Sequence, residues 1–254
     1  MDIGLRKRFC RDSVSGMTEK EMLSLILGFS MSDENLQKAV CGLFDSHNSL
    51  HDILSEDISA LTDIDGVNTH SAILLSLIYP LLSYAYSTDI SSACNFYDTD
   101  EAARFFVYKF LGVKEEKMYL LALDQKKKML DCVNLGSGTV NEVYVSARKV
   151  VDTARKLKCS YVIMAHNHPS GEALPSSADI SATSVIRNML SDMNITLLEH
   201  IIVAGNEFSK VSEYGSYDEL MPYDSQKDTL MRSSDYIRKI ELFPWDMKNT
   251  ENKY

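Results

Sequence analysis

The chain has 254 residues, of which 45% are hydrophobic and 24% are charged, the balance of an ordinary globular protein rather than a fibre or a disordered chain. Its formal net charge of −10 and pI near 5.1 oppose non-specific binding to nucleic acid or anionic lipid. The five cysteines are irregularly spaced, which indicates neither a disulfide framework nor a CxxC zinc cluster. With no apolar stretch long enough for a membrane span and no secretory signal, we expect a cytoplasmic protein without a membrane partner.

Residues 1–88 carry helical patterns joined by short polar turns and are predicted to form a small all-α domain, with a short helix from Ile53 to Leu61. Residues 61–74 have the general shape of a helix-hairpin-helix. Between Lys38 and Arg104 there is no Lys or Arg, although binding to DNA phosphates needs such residues. A structural or partner-binding role is therefore favoured over DNA binding, which is kept as the minor interpretation.

The remainder is predicted to be a linker at 89–98, an α/β domain at 99–214 and a polar tail at 215–254. In the α/β domain, the apolar patterns predict the order helix, strand, strand, helix, strand, helix, strand, strand. The tail is expected to be mobile. Its short apolar cluster around residues 240–245 is interpreted either as a docking motif or as an element that packs on the protein's own surface.

The candidate chemistry lies at residues 160–179. An apolar run predicts a buried strand that ends at His166 and His168, whose spacing puts both imidazoles on one side of an extended segment. A Pro-Ser-Gly break follows, and Ser176 then opens a helical pattern whose first turn contains Asp179. Two histidines and one carboxylate are the ligands of a catalytic zinc site, in which a water takes the fourth position. One Zn²⁺ per chain is therefore expected.

Each of these residues also has an ordinary structural explanation. The spacing of Ser176 and Asp179 is typical of a helix N-terminus, with a serine cap and an acidic side chain that favours the helix dipole. Either histidine alone is more often a hydrogen-bonded turn residue, and Asn167 between them is predicted to stabilise the turn. The joint spacing favours the metal site, and the cap and ligand roles of the Ser-Asp pair are compatible.

The complete pattern is H-x-H, then S after seven residues and D after two more. It resembles the JAMM (MPN+) metalloprotease signature, and with the Pro-Ser-Gly break and Pro175 it resembles the RadC-like branch. The resemblance implies an α/β domain with a JAMM/cytidine-deaminase-like mixed sheet flanked by helices, preceded by a helical domain that ends in a helix-hairpin-helix. The family hairpin has a Gly-x-Gly turn that offers backbone N–H groups to a DNA phosphate. Here Gly66 is present, but Asn68 takes the place of the second glycine.

The resemblance also implies roles for individual residues. The catalytic base in JAMM proteins is a Glu at the beginning of an earlier strand, and the aligned residue here is Glu116, with Glu115 and Glu142 as alternatives. Ser176 would hydrogen-bond the attacking water or the forming oxyanion. His200 is a candidate to support the ligands from behind, although a strand histidine more often makes a structural hydrogen bond.

The sequence therefore predicts a zinc-dependent metallohydrolase of the JAMM metallopeptidase type, which hydrolyses a peptide or isopeptide bond in a peptide or protein substrate. Fe²⁺ or Mn²⁺ can occupy a similar ligand set, but nitrogen and oxygen ligation with one open position favours zinc. Two other hypotheses compete with this one: a DNA-repair or nucleic-acid-associated accessory protein, and a catalytically silent interaction module stabilised by its metal. No sequence feature indicates the oligomeric state.

Overall fold

The computed structural model describes residues 3–93, 95–137, 143–169, 171–214 and 236–240. The chain divides into two compact units, Met1–Ala85 and Tyr86–Tyr254. Each unit has its own cluster of buried apolar side chains, as an independently packed domain requires. Among the helices in the described parts of the chain, none is both long and apolar enough to cross a bilayer.

The first unit contains only helices among its described residues. They are α1 (Ile3–Asp12), α2 (Glu19–Leu27), α3 (Asp33–Ser46), α4 (Leu50–Leu54), α5 (Ile58–Thr62) and the first part of α6 (Thr69–Ala93). The prediction of a single short helix from Ile53 to Leu61 is wrong, because α4 ends at Leu54 and α5 begins only after Asp57, its N-cap residue.

The turn between α5 and α6 packs closely against α3. Gly66 has a φ of +87°, and a Cβ atom there would lie 2.8 Å from the backbone nitrogen of Ala39, so that glycine meets both a conformational and a steric demand. Asn68 then caps α6, because its Oδ1 accepts the backbone N–H of Ser71 at 3.0 Å. Both residues identified in the hairpin by sequence therefore have structural roles within this unit.

Helix α6 continues to Ala93 and carries Pro80 in its interior. It therefore occupies part of the range 89–98 that was predicted to be a linker. Residues 87–93 contain neither Gly nor Pro, so the stretch has no residue that ends a helix, despite its serines. After it, Asp98 caps the next helix through a hydrogen bond from the backbone N–H of Asp100 to its side chain.

The second unit is a mixed sheet flanked by helices, as predicted. Its elements are α7 (Thr99–Lys109), β1 (Lys117–Leu123), β2 (Met129–Ser137), α8 (Val143–Leu157), β3 (Tyr161–Asn167), α9 (Ser177–Ser191), β4 (Thr196–Ala204), β5 (Glu207–Lys210) and β6 (Arg238–Lys239). The strand order is β2-β1-β3-β4-β5-β6. Strands β3 and β4, which α9 connects, are parallel, and the other neighbouring pairs are antiparallel. The predicted order of helices and strands is confirmed, with β6 added.

Side chains that alternate along the strands contribute to two apolar layers, one on each face of the sheet. On one face, Phe105 and Phe106 of α7 pack with Ile163 of β3. On the other face, α8 and α9 pack over Val162 and Met164. Because residues two apart in a strand share a face, His166 continues the row of Val162 and Met164 and lies on the side of α8 and α9.

The polar tail predicted at 215–254 contributes to the sheet through its described part. Strand β6 pairs with β5, and Ile240 directly after it is buried in the same cluster as α7. Of the two interpretations of the apolar cluster in the tail, packing on the protein's own surface is therefore correct for Ile240. The other residues of that cluster lie outside the described residues.

Candidate metal centre

The two histidines come from the end of strand β3. His166 is the last residue but one of the strand, and only 2% of its surface is exposed. His168 follows the strand, where its backbone N–H still donates to the carbonyl of Val203 on β4 at 2.7 Å. This hydrogen bond keeps the chain extended past the end of the strand. His166 and His168, two positions apart, therefore point to the same side and their imidazoles lie close together.

The carboxylate comes from the first turn of helix α9. Ser176 is the N-cap, and its Oγ accepts the backbone N–H of Asp179 at 3.1 Å. In return, the Oδ2 atom of Asp179 accepts the backbone N–H of Ser176 at 2.8 Å and its hydroxyl at 2.6 Å. This reciprocal capping box orients the carboxylate before any ligand is bound, and Asp179 is buried despite its charge.

The three side chains direct one donor atom each at a common point. The Nε2 atoms of His166 and His168 are 2.8 Å apart. Asp179 Oδ1 lies 3.4 Å from Nε2 of His166, and Oδ2 lies 3.8 Å from Nε2 of His168. Within the described residues, these side chains form the one group of three or more His, Cys, Asp or Glu that can hold a metal ion.

The tautomer of His168 follows from its outer nitrogen. Nδ1 lies 3.0 Å from the carbonyl oxygen of Glu172, and a carbonyl can only accept a hydrogen bond, so Nδ1 carries the proton. The Nε2 atom of neutral His168 therefore presents a lone pair toward His166. A proton or a metal cation has to lie between the two rings, and the donor set of two imidazoles and a carboxylate fits a zinc ion.

The local electrostatics favour neutral histidines beside an ionised carboxylate. Burial lowers the pKa of His166 to about 3 and that of His200 to about 4, because the charged imidazolium loses its hydration. Burial also raises the pKa of Asp179, but the interaction with His166 and the hydrogen bonds from Ser176 outweigh this effect and leave the pKa of Asp179 below its usual value. Neutral imidazoles and an ionised carboxylate are the forms that bind metals.

Glu116 lies at the edge of this site, immediately before β1. Burial raises the pKa of the Glu116 carboxyl, and the Asp179 carboxylate raises it further, while the charge of His168 when protonated acts in the opposite direction. In the antiparallel pairing of β1 with β3, Met118 lies opposite His166, so Glu116, two residues earlier, lies toward His168. A raised pKa suits a carboxylate that accepts a proton and later releases it.

Asn167 fixes the backbone on both sides of Glu116. Its Oδ1 accepts the N–H of Lys117 at 2.8 Å, and its Nδ2 donates to the carbonyls of Glu115 at 3.0 Å and Val113 at 3.3 Å. The sequence prediction that Asn167 stabilises the turn after β3 is therefore incomplete, because this side chain, on the opposite face from the histidines, holds the segment that carries Glu116.

The two alternative bases differ in how they can be placed. Glu115 has a side chain that is 72% exposed and lies 3.9 Å from the ammonium group of Lys117, as expected for a surface residue. Glu142 lies outside the described residues. Among the described candidates, Glu116 is therefore the carboxylate with the stronger connection to the metal-site residues.

His200 lies directly behind His166, with its Nε2 atom 2.9 Å from Nδ1 of His166. Its other nitrogen lies 2.6 Å from the hydroxyl of Thr183, which is 2.6 Å from the backbone carbonyl of Asp179. Sequence reasoning missed Thr183. The available signal was its position four residues after Asp179 in α9, because residues four apart lie on the same face of a helix.

The fold and the side chains together define a class: an α/β domain with a His/His/Asp group that could hold a metal ion, between the end of a central strand and the start of the next helix. Residues 96–216 match the family described as the RadC-like JAB domain. This part of the chain therefore matches the RadC-like JAB family, as its H-x-H, S and D spacing predicted.

The similarity to one curated relative extends beyond this domain. The chain is 25% identical over 211 residues to a UPF0758 protein of Janthinobacterium sp. (strain Marseille), an alignment that covers 83% of this chain and 94% of the relative. The similarity therefore includes much of the first unit as well as the metal-site domain.

Proposed function

We propose that this protein is a zinc-dependent hydrolase that cleaves a peptide or isopeptide bond. The observation that carries the proposal is the convergence of His166 Nε2, His168 Nε2 and the Asp179 carboxylate on one point. Three protein ligands, rather than four, are typical of a catalytic zinc site. When bound, the zinc ion polarises the substrate carbonyl and lowers the pKa of a coordinated water to about 7.

Glu116 is the proposed general base. It accepts a proton from the attacking water and delivers that proton to the leaving amine, so the same carboxyl group serves both halves of the reaction. Its raised pKa supports this role, and so do the hydrogen bonds by which Asn167 holds the backbone of residues 113–117. Glu115 has an exposed side chain beside the ammonium group of Lys117 and lacks the burial of Glu116.

Ser176 is proposed to orient Asp179, rather than to donate its hydroxyl hydrogen to the attacking water or to the oxyanion. A serine hydroxyl has one hydrogen, and here it is donated to Oδ2 of Asp179 at 2.6 Å. The oxyanion role implied by the family resemblance requires this hydrogen to turn away from Asp179. In that case the backbone N–H of Ser176 still holds the carboxylate.

The test compares the wild type with Glu116→Gln after purification without chelators. Each protein is analysed for zinc and is then incubated at high concentration with unstructured peptides and with lysine-linked isopeptides. We expect about one zinc per chain in both proteins and hydrolysis in the wild type alone. Equal hydrolysis by both would remove Glu116 as the base. Zinc without hydrolysis in the wild type would favour the metal-stabilised interaction module instead.

A further inference from the structure

We propose that Thr183 fixes the tautomers of His200 and His166, and thereby keeps the metal-facing nitrogen of His166 free of a proton. Thr183 is then a positioning residue, since it acts through His200 and does not face the metal point itself. The inference rests on the metal site of the proposed function. It follows from the direction of three consecutive hydrogen bonds, each of which can be assigned from its acceptor.

The first direction is set by a backbone carbonyl. The hydroxyl of Thr183 lies 2.6 Å from the carbonyl oxygen of Asp179, one turn earlier in α9. A carbonyl oxygen can only accept, and the hydroxyl has a single hydrogen, so Thr183 donates to Asp179. The hydroxyl oxygen of Thr183 can then only accept from its second partner.

That second partner is His200. Its Nδ1 lies 2.6 Å from the Thr183 hydroxyl oxygen, so Nδ1 carries a proton and donates it. In a neutral imidazole the other nitrogen then has the lone pair. Nε2 of His200 therefore accepts from Nδ1 of His166 at 2.9 Å. Neutral His166 with its proton on Nδ1 has a lone pair on Nε2.

This assignment decides what lies between the two metal-facing histidines. Nε2 of His168 also has a lone pair, because its Nδ1 donates to the carbonyl of Glu172. Two lone pairs 2.8 Å apart, beside an ionised carboxylate, repel one another unless a cation lies between them. The chain of hydrogen bonds from Asp179 through Thr183 and His200 thus prepares His166 to bind a metal.

A β-bulge brings His200 to the correct face of the sheet. Val162 pairs with Leu197, whereas Ile163 pairs with Glu199, so Leu198 is an extra residue in β4. Leu197 packs on the side of α8 and α9, and simple alternation would point His200, three residues later, to the opposite side. The extra residue restores the phase, since bulges shift which side chains face a given surface.

Burial makes the Thr183 hydroxyl hard to replace. Thr183 is 0% exposed and His200 is 1% exposed. Removal of the hydroxyl leaves the Nδ1–H of His200 buried without its acceptor, which is unfavourable in a low-dielectric interior. The alternative tautomer avoids this by moving the proton to Nε2, but His166 then has to carry its own proton on the metal-facing side.

The experiment uses the full chain and two readouts. Zinc dissociation constants are measured by competition with a chromophoric chelator for the wild type, Thr183→Val and Thr183→Ser. We expect zinc affinity to fall about 10- to 100-fold in Thr183→Val, the usual effect of removing a group that orients a ligand. Thr183→Ser keeps the hydroxyl and should stay close to the wild type. Thr62→Val is the matched control, because Thr62 also donates to a backbone carbonyl in its own helix.

The second readout is the tautomeric state of His200 and His166 from nitrogen-15 NMR of the wild type, which needs no variant to fold. We expect Nδ1–H in both rings, with and without zinc. Nε2–H in His200, or unchanged zinc affinity in Thr183→Val, would overturn the inference, as would equal weakening in Thr183→Val and Thr183→Ser. If the wild type binds no zinc, the proposed function fails, but the tautomers of the metal-free protein still decide this inference.

Discussion

Helices α6 and α9 begin in the same way, but only one of them contributes to a site. In each, the residue before the helix caps the backbone N–H of the third helical residue: Asn68 caps Ser71, and Ser176 caps Asp179. At α6, the hydroxyl of the capped Ser71 lies 2.9 Å from that of Ser30, inside its own unit. At α9, the capped residue is a carboxylate that also faces two histidines.

The difference shows when a cap and a ligand can be the same residue. Asp179 has two oxygens, so Oδ2 can accept from Ser176 while Oδ1 lies toward His166. Asn68 uses its one acceptor oxygen on Ser71, and the sequence from residue 39 to residue 103 contains no Lys or Arg to attract a phosphate. At α9 the capped residue itself, Asp179, therefore keeps a second oxygen atom for a ligand, whereas the capped residue of α6 is a serine that contacts Ser30.

Replacing Asp179 should have the largest effect. Asp179→Asn keeps the size and an oxygen acceptor for the cap, but it removes the charge that faces the histidines. We expect zinc affinity to fall by more than about 100-fold, since loss of a ligand exceeds loss of a group that supports one. Competition titration with a chelator measures this. Unchanged affinity in Asp179→Asn would mean that the carboxylate acts as a cap alone.

Asn167→Ala should destabilise residues 113–117, the segment that carries Glu116, without preventing metal binding. It removes three hydrogen bonds to residues 113–117, so we expect a loss of about 2 to 3 kcal/mol in the free energy of unfolding. Both histidines are retained, and one zinc per chain should still bind. Urea denaturation and amide hydrogen exchange of residues 113–117 measure the change. If the amides of this segment remain fully protected from exchange in the variant, the hydrogen bonds from Asn167 do not hold it in place.

The metal-free protein should lose stability on acidification. The folded pKa of His200 is about 4, below its unfolded value near 6.5, so the unfolded chain binds more protons between these values and stability falls as pH falls through that window. For His200 alone the loss at pH 5 is about 2 kcal/mol. Urea denaturation of chelator-treated wild type and His200→Gln at pH 7 and pH 5 isolates the effect. The same pH dependence in both proteins would argue against a buried neutral His200.

The smallest effect is expected at the helix start without a site. Asn68→Ala removes the cap of α6 and should destabilise the first unit by about 1 kcal/mol, whereas Asn68→Gly should cost only a few tenths. Zinc content should not change in either variant. Asn68→Gly also creates the Gly-x-Gly turn of the family hairpin, and a gel shift should still detect no DNA binding, because residues 39–103 contain no Lys or Arg. A salt-sensitive shift would revive the nucleic-acid hypothesis.

The sequence predicted the local pattern of the site better than its surroundings. The spacing of His166, His168 and Asp179 depends on one strand end and one helix start, both of which have strong sequence signals, and the three side chains do meet. Thr183 and His200 come together only through the pairing of β3 with β4, and the position of the bulge depends on that pairing. A single-sequence pattern contains no information on such register.

The same limit applies to the fold. The order of helices and strands in the second unit follows from apolar periodicity, and it was predicted correctly. The continuation of α6 through a serine-rich stretch and the pairing of β6 with β5 were not, because weak local propensity does not decide either outcome. The clamp from Asn167 to residues 113–117 spans about 50 positions, so only the folded sheet brings it together.

The most direct test of the central claim is the zinc content per chain, measured by elemental analysis of the wild type, His166→Ala and Asp179→Ala purified without chelators. We expect about one zinc in the wild type and loss of that zinc in both variants, which remove ligands from β3 and α9 respectively. A wild type that binds no zinc even when zinc is supplied, or variants that retain it, would contradict the claim that His166, His168 and Asp179 form the metal site.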